Sequence, residues 1–237
     1  MLDLQELDSR ADQLRYQRGT LPEHDDLAAL TMTRRDLGDQ ARDARIVVDD
    51  LTAEQTKVDA DVEQVKTRRD RDRSRIEQGL VGSPRDLERM QHEMESLERR
   101  ITTLEDEELE LMARLEDAQR NLDELTAQLA DADARNEKLE QARDARYAEI
   151  DAELAELTTQ RGPLADGLPA DLLALYDRLR AAKNGVGAAA LRARQCGGCM
   201  LGLDNAEVGK IRAAADDEVL RCEECQRILV RTDESGL

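Results

Sequence analysis

From Ser83 to Arg161 apolar residues return every three or four positions. They fall at Leu87, Met90, Met94, Leu97, Ile101 and Leu104, then at Leu111, Leu115, Ala118, Leu122, Leu125, Leu129, Ala132 and Leu139. This is the 3.5-residue period of a coiled-coil seam. Only Glu108 and Asn136, both at a positions, interrupt it, and polar a residues of this kind set register and oligomeric state at some cost in stability. One helix over the stretch, rising about 1.5 Å per residue, is on the order of 115 Å long. Such a helix needs a partner along its length, and the residues before it supply one.

Leu4, Leu7, Ala11 and Leu14 carry the same spacing through a first segment, Leu4 to Arg18, which Gly19-Thr20-Leu21-Pro22 breaks. Thr20 with Glu23 three residues on reads as a capping box, and Pro22 is tolerated in the first turn. A second helix runs to about Glu77 on Leu27, Leu30, Leu37, Ala41, Ala44, Val48, Leu51, Val58, Val62, Val65 and Ile76. Polar Arg34, Gln55, Arg69 and Asp72 weaken that seam. Gln78 to Pro84 is the turn, with Ser83 as N-cap, Pro84 at the first helical position and Asp86 at the third. A short turn between two long heptad helices implies an antiparallel hairpin within one chain.

Facing residues in such a hairpin have numbers with a constant sum. A sum of 166 sets Ile76 on Met90, Val65 on Ile101, Leu51 on Leu115, Leu37 on Leu129 and Leu27 on Leu139. Past Leu139 the heptad fails at Arg143 and Arg146 and resumes out of phase at Tyr147, Ile150, Leu154 and Leu157. This is a stutter, which locally unwinds a supercoil. The 166 register sets it opposite the Gly19–Pro22 break, whereas the rival sum of 159 does not. Arg161-Gly162-Pro163 is expected to stop the long helix. Pro169 to Lys183 follows as a shorter helix with Leu172, Leu173, Tyr176 and Leu179 on its apolar side, ended by Asn184-Gly185. Val186 to Gln195 is small and β-permissive.

The composition agrees with an elongated molecule. Charged residues make up 38%, Phe and Trp are absent and there are three Tyr, so a large globular core is excluded while a Leu/Val/Ala seam is not. A net charge of −19 argues against a general nucleic-acid coat, because phosphate binding rests on Lys and Arg. No apolar run spans a bilayer, and the start of the chain lacks the basic and apolar regions of a signal peptide. A cytoplasmic location is the expectation, and there cysteines serve as metal ligands more than as disulfides.

All four cysteines lie near the C-terminal end, as Cys196-Gly197-Gly198-Cys199 and Cys222-Glu223-Glu224-Cys225. Each CxxC folds as a knuckle aiming two thiolates at one point, and two knuckles complete the closed tetrahedron of a structural zinc site. The 22-residue spacer slightly exceeds the usual range. It has room for a strand at Met200 to Leu203, a short helix started by Asp204 or Asn205, and a returning strand at Glu218 to Arg221. Ile228 to Val230 gives a last strand. A redox pair lacks its βαβ context. An iron–sulfur centre also uses four thiolates, but paired knuckles favour zinc. Catalytic zinc is disfavoured, since four thiolates leave no open position and His24 and His92 are remote in sequence.

The whole chain resembles a bacterial family of long coiled-coil hairpins ending in a four-cysteine zinc ribbon, described as nucleic-acid-binding zinc-ribbon proteins. The resemblance is carried by Leu4, Leu7 and Asp8, by the Leu-Leu-x-x-Tyr run at Leu172 to Tyr176, by Gln195-Cys-Gly-Gly-Cys199, and by Cys222-Glu-Glu-Cys-Gln-Arg-Ile-Leu229. It implies one structural Zn2+ on Cys196, Cys199, Cys222 and Cys225, and an adaptor or regulator instead of an enzyme. Gln226 departs from the pattern, where glycine is expected after the last cysteine, and this puts the turn of that knuckle in doubt.

Two basic groups are candidate contacts. Lys66 to Arg75, with Arg68, Arg71, Arg73 and Arg75, stands beside the hairpin turn and can grip phosphates or an acidic protein surface. Its plainer reading is a solvated face pairing with Glu88, Glu93 and Glu95 across the hairpin. Arg178, Arg180, Lys183, Arg192 and Arg194 lead into the ribbon without stacking aromatics, which weakens a single-strand claim. No Walker, HExxH or nucleophile-elbow pattern occurs.

The expected fold is mainly α: a long antiparallel coiled-coil hairpin over 1–162, with its turn near 78–84 and a break near 19–22. A short helix and a small C-terminal β-containing zinc ribbon fill 163–237. The expected function is a non-enzymatic cytosolic adaptor or regulator binding a macromolecular partner, first a protein. A DNA- or RNA-binding regulator is the alternative, and a purely structural spacer stays open. No membrane and no small-molecule substrate is expected, and the sequence leaves monomer or dimer open.

Overall fold

The computed structural model describes residues 1–237. Its elements are α1 Leu2–Gly19, α2 Pro22–Glu77, α3 Pro84–Asp166, α4 Ala170–Ala182, β1 Ala188–Arg192, β2 Gln195–Cys196, α5 Asn205–Ala213, β3 Leu220–Arg221 and β4 Ile228–Val230. They form a long antiparallel coiled-coil hairpin and a small C-terminal region with strands. The chain divides into two compact units, Asp26–Lys138 and Met1–Asp25 with Leu139–Leu237.

In the Asp26–Lys138 unit the heptad positions are the ones withdrawn from water. Ala44, Val48, Leu51, Val62, Ile101, Leu104, Leu111, Leu122 and Ala132 are buried. Ala44, Val48 and Leu122 pack together, with Leu115, Ala118 and Leu125 against them. Two ion pairs across the hairpin fit the 166 register. Arg69 reaches Glu98 at 3.6 Å and Arg34 reaches Asp133 at 2.6 Å, each one residue from the position that register sets opposite. In the 159 register Arg69 would face Met90, about two turns from Glu98. At the end of α2 Gly79 takes a left-handed φ of 67°, and Leu80 N–H reaches Arg75 O at 3.0 Å, a Schellman closure. Ser83 then caps α3: its Oγ accepts from Asp86 N–H at 3.2 Å and donates to Asp86 Oδ2 at 2.8 Å.

In the other unit α1 runs against the last part of α3, and α4 packs on both. Leu4, Ala165, Tyr176, Leu179, Ala188 and Ile228 make one core there. Two local expectations are corrected. The Thr20 hydroxyl does not cap α2; it donates back to Tyr16 O at 2.9 Å, and α2 begins directly at Pro22. Nor does α3 stop at Arg161. It continues through Gly162 and Pro163 to Asp166, because burial of Ala165 holds one more turn and Gly167 N–H bonds Pro163 O at 3.2 Å. At the stutter Tyr147 turns inward. Its hydroxyl meets His24 Nε2 at 2.6 Å, and the Arg18 guanidinium lies 4.0 Å from its ring centre.

A buried polar set joins α1 to the elements that follow the hairpin. The Asp8 carboxylate accepts from Arg161 Nε at 2.8 Å and from the Tyr176 hydroxyl at 2.8 Å. Arg180 donates to Asp12 at 2.6 Å and lies 3.7 Å from Asp8. Gln5 accepts from Gly187 N–H at 2.7 Å and Ala188 N–H at 3.1 Å, and donates to Gly185 O at 2.8 Å. Gly187 is required where it stands, since a Cβ there would lie 2.6 Å from Tyr176 O.

The sheet has the order β2-β1-β4-β3. β1 and β4 are parallel, while the outer pairs are antiparallel. Side chains alternate across a strand, so Ala188 and Ile228 join the helical core while Ala189, Leu191 and Leu229 face the cysteines with Ile211. Met200 to Leu203 is not a strand. Met200 is left-handed at φ 63° because it closes the first knuckle, and only Gly202 bridges to Gln195.

Candidate metal centre

The sheet and α5 position the four cysteines. Cys196 ends β2, Cys222 follows β3, and Cys199 and Cys225 lie at the far ends of the two knuckles. Each knuckle closes in the same way: Met200 N–H donates to Cys196 O at 2.8 Å and Gln226 N–H to Cys222 O at 2.9 Å. Arg227 ties the second knuckle to the end of α4, donating to Val186 O at 2.9 Å and Lys183 O at 3.0 Å. Asp204 caps α5 by accepting from Ala206 N–H and Glu207 N–H at 2.8 and 2.7 Å. Glu207 in turn accepts from Glu223 N–H at 3.0 Å inside the second knuckle. Arg231 closes the other end of α5 on Ala214 O at 2.9 Å.

The four Sγ atoms all lie within 4.8 Å of one another. Cys196 and Cys225 approach to 3.7 Å, Cys199 and Cys222 to 3.9 Å. A tetrahedron with metal–sulfur bonds of about 2.3 Å has sulfur–sulfur edges of about 3.8 Å. The cluster therefore fits one tetrahedral thiolate-bound ion, and all four positions are filled by protein.

Burial pushes the Cys222 thiol up to about 12 and raises that of Cys196. Burial acts the same way on Cys225, but the backbone N–H and guanidinium of Arg227 outweigh it and bring that thiol to about 7. A metal must therefore displace protons from Cys196 and Cys222 at neutral pH. Apparent affinity should rise steeply with pH near 7, by more than about 100-fold per unit, because every thiol protonated in the metal-free chain gives up its proton on binding. Competition with a chromophoric chelator across pH measures this slope; a flat profile would contradict it.

The departure at Gln226 leaves the turn intact, since Gln226 takes φ 65° as glycine would. A non-glycine residue there costs roughly 1–2 kcal/mol. Gln226→Gly should raise the thermal stability of the metal-loaded ribbon by up to about 1 kcal/mol, less the entropy glycine adds to the unfolded chain. Calorimetry checks the sign.

The basic candidates are scattered. Beside the turn, Arg68 pairs with Glu93 and Arg73 with Glu98, while Arg71 lies near Asp72 and Arg75 is exposed. Before the ribbon, Arg180 is drawn into the Asp8 and Asp12 carboxylates, Arg192 pairs with Glu234 at 3.1 Å, and Arg194 donates to Gly236 O at 2.9 Å. Arg178 is exposed and Lys183 half-buried. Sequence reading missed the supports at Gln5, Glu207, Arg227 and Arg231. Only the Asp204-x-x-Glu207 spacing signalled one of them.

A long coiled-coil hairpin followed by a four-cysteine ribbon is the class these features define. The chain belongs to the family of the CT398-like coiled coil hairpin domain, whose model matches residues 4–184. Residues 195–229 match the C4-type zinc ribbon domain. The Mycobacterium tuberculosis proteins Rv2229c (strain H37Rv) and MT2288 (strain CDC 1551 / Oshkosh) are each 34% identical to it, over 98% of this chain and 94% of theirs. A solved structure from Mycobacterium smegmatis is 32% identical, covers 97% of this chain and 95% of its own, and superposes with a TM-score of 0.82. CT398 from Chlamydia trachomatis shares the fold at 20% identity and a TM-score of 0.66, over 98% of this chain and 95% of its own.

Proposed function

We propose that the protein is a non-enzymatic adaptor or regulator whose ribbon, built around one structural zinc ion, binds a protein partner while the hairpin carries a second contact. The observation that carries this reading is the closed site. Four cysteines within 4.8 Å of one another fill a tetrahedral ion and leave no position for substrate or water. The ion then acts as a staple, and what remains for recognition is the ribbon surface. The four cysteines form no disulfide, which suits a reducing compartment such as the cytosol; no helix is long and apolar enough to cross a membrane. The nucleic-acid reading has less to stand on, because Arg180, Arg192 and Arg194 are already engaged within the chain.

Capture from native lysate tests this, using the intact protein and a Cys196→Ser/Cys199→Ser variant, with and without nuclease. Protein partners that survive nuclease and need the cysteines support the adaptor. Partners that vanish with nuclease assign the ribbon to nucleic acid. Partners retained by the variant remove the ribbon from the binding site.

A further inference from the structure

The strand β3 is an outer edge of the sheet. Leu220 pairs with Leu229 and Arg221 with Ile228, and Cys222 N–H donates to Arg227 O at 3.0 Å. Antiparallel alternation then turns the N–H and C=O groups of Val219 and Arg221 away from β4. Val219 is 45% exposed, an apolar side chain beside unpaired backbone, where natural edges are usually shielded.

A cavity opens on each side of this edge, and Val219 and Leu220 line both. One, of about 510 Å³, is walled by Met1, Leu172, Ile228 and Val230 together with the acidic Asp217 and Glu218. The other, of about 430 Å³, lies toward α5 and is bordered by Glu207, Glu218 and Glu223. A strand laid along β3 sends successive side chains to opposite faces of the sheet, so neighbouring residues would enter different cavities.

Charge selects the occupant. Asp216, Asp217 and Glu218 precede the strand, and Glu223 and Glu224 follow it. Arg231 neutralises Asp216 and Lys210 neutralises Glu223, leaving Asp217, Glu218 and Glu224 outside any ion pair. Two copies of this edge laid antiparallel would set acids on acids, so a second copy is disfavoured. Arg221 keeps its positive charge, its Nε turned back to Gln226 O at 3.1 Å, but five acids against Arg221, Arg231 and Lys210 leave the patch net acidic.

We infer that β3 accepts an extended peptide as a fifth strand, with alternating apolar and basic (Lys or Arg) side chains entering the two cavities. Backbone hydrogen bonds supply affinity in this mode and the two cavities supply sequence preference. The inference rests on the reading of the ribbon as the recognition surface and adds the chemistry of what it recognises.

The test is selection of displayed random peptides on the zinc-loaded full-length chain, with Kd values then measured on synthetic copies. Enriched peptides should alternate apolar and basic residues. Val219→Pro, which removes an outward N–H, should weaken them by about tenfold or more at unchanged zinc content. Glu218→Lys, which leaves the edge intact, should shift selection toward acidic residues. Peptides that bind equally well to Val219→Pro, or no enrichment at all, would overturn the edge. Either result leaves the adaptor reading standing if nuclease-resistant partners still need the cysteines, so the two failures are distinguishable.

Discussion

Removing the metal should unfold the ribbon while the Asp26–Lys138 hairpin stays folded. Beyond its cysteines the ribbon core holds Ala189, Leu191, Ile211 and Leu229, with Leu203 and Leu220 partly buried. That is too little apolar surface to offset the conformational entropy of the segment. A structural zinc ion contributes roughly 10–16 kcal/mol of apparent folding free energy in such modules. With a strong chelator, amide hydrogen exchange should lose protection across β1, α5 and β4. The amides around Ala44, Val48 and Leu122, which pack on one another, should keep theirs. A Cys222→Ser/Cys225→Ser variant should behave as the chelated protein does. Unchanged protection in β1 and β4 after complete metal removal would show that the sheet folds on its own.

The second large effect is expected at Asp8. Its side chain is 5% exposed, against 30% for Arg161 and 21% for Arg180. Truncating the carboxylate takes the buried acceptor from Arg161 Nε and the Tyr176 hydroxyl and a counter-charge from Arg180, leaving Arg161 only Asp177 and Arg180 only Asp12 as acidic partners. Breaking a buried pair from one side typically costs about 3–5 kcal/mol, and Asp8→Ala should destabilise its unit by about that much in chemical denaturation. Asp177 also meets Arg161, at 3.1 Å, but its side chain is 52% exposed, so Asp177→Ala should cost less than about 1 kcal/mol. Comparable losses for both variants would mean that Asp8 does not organise this junction.

The same cluster carries a pH signature. Burial, and then the hydrogen bond to Asp8, raise the Tyr176 phenol above its ordinary value. A raised folded-state value favours the protonated form. Its contribution to stability is therefore complete below the unfolded tyrosine value near 10 and is lost as pH rises beyond it. Tyr176→Phe should remove that alkaline loss, along with about 1–2 kcal/mol of hydrogen bonding.

The hairpin and the cysteine site were legible in the sequence because both are written in local spacing. A seam residue every three or four positions faces inward in any long helix, and Leu51, Ile101, Leu111 and Leu122 are buried where the period puts them. Two residues between paired cysteines bring their thiolates together whatever surrounds them. Even the antiparallel register followed from aligning a stutter with a break. The tertiary structure alone decided what depends on distant partners. Pro163 stays within α3 because Ala165 is buried against residues from α1, α4 and the sheet. Thr20 turns back to α1 because the bond to Tyr16 O outcompetes the cap. The alanines of β1 look featureless in sequence, yet Ala188 faces the helical core and Ala189 the cysteines. Gln5 and Asp8 find their partners more than 150 residues away, across a separation that no periodicity in the chain encodes.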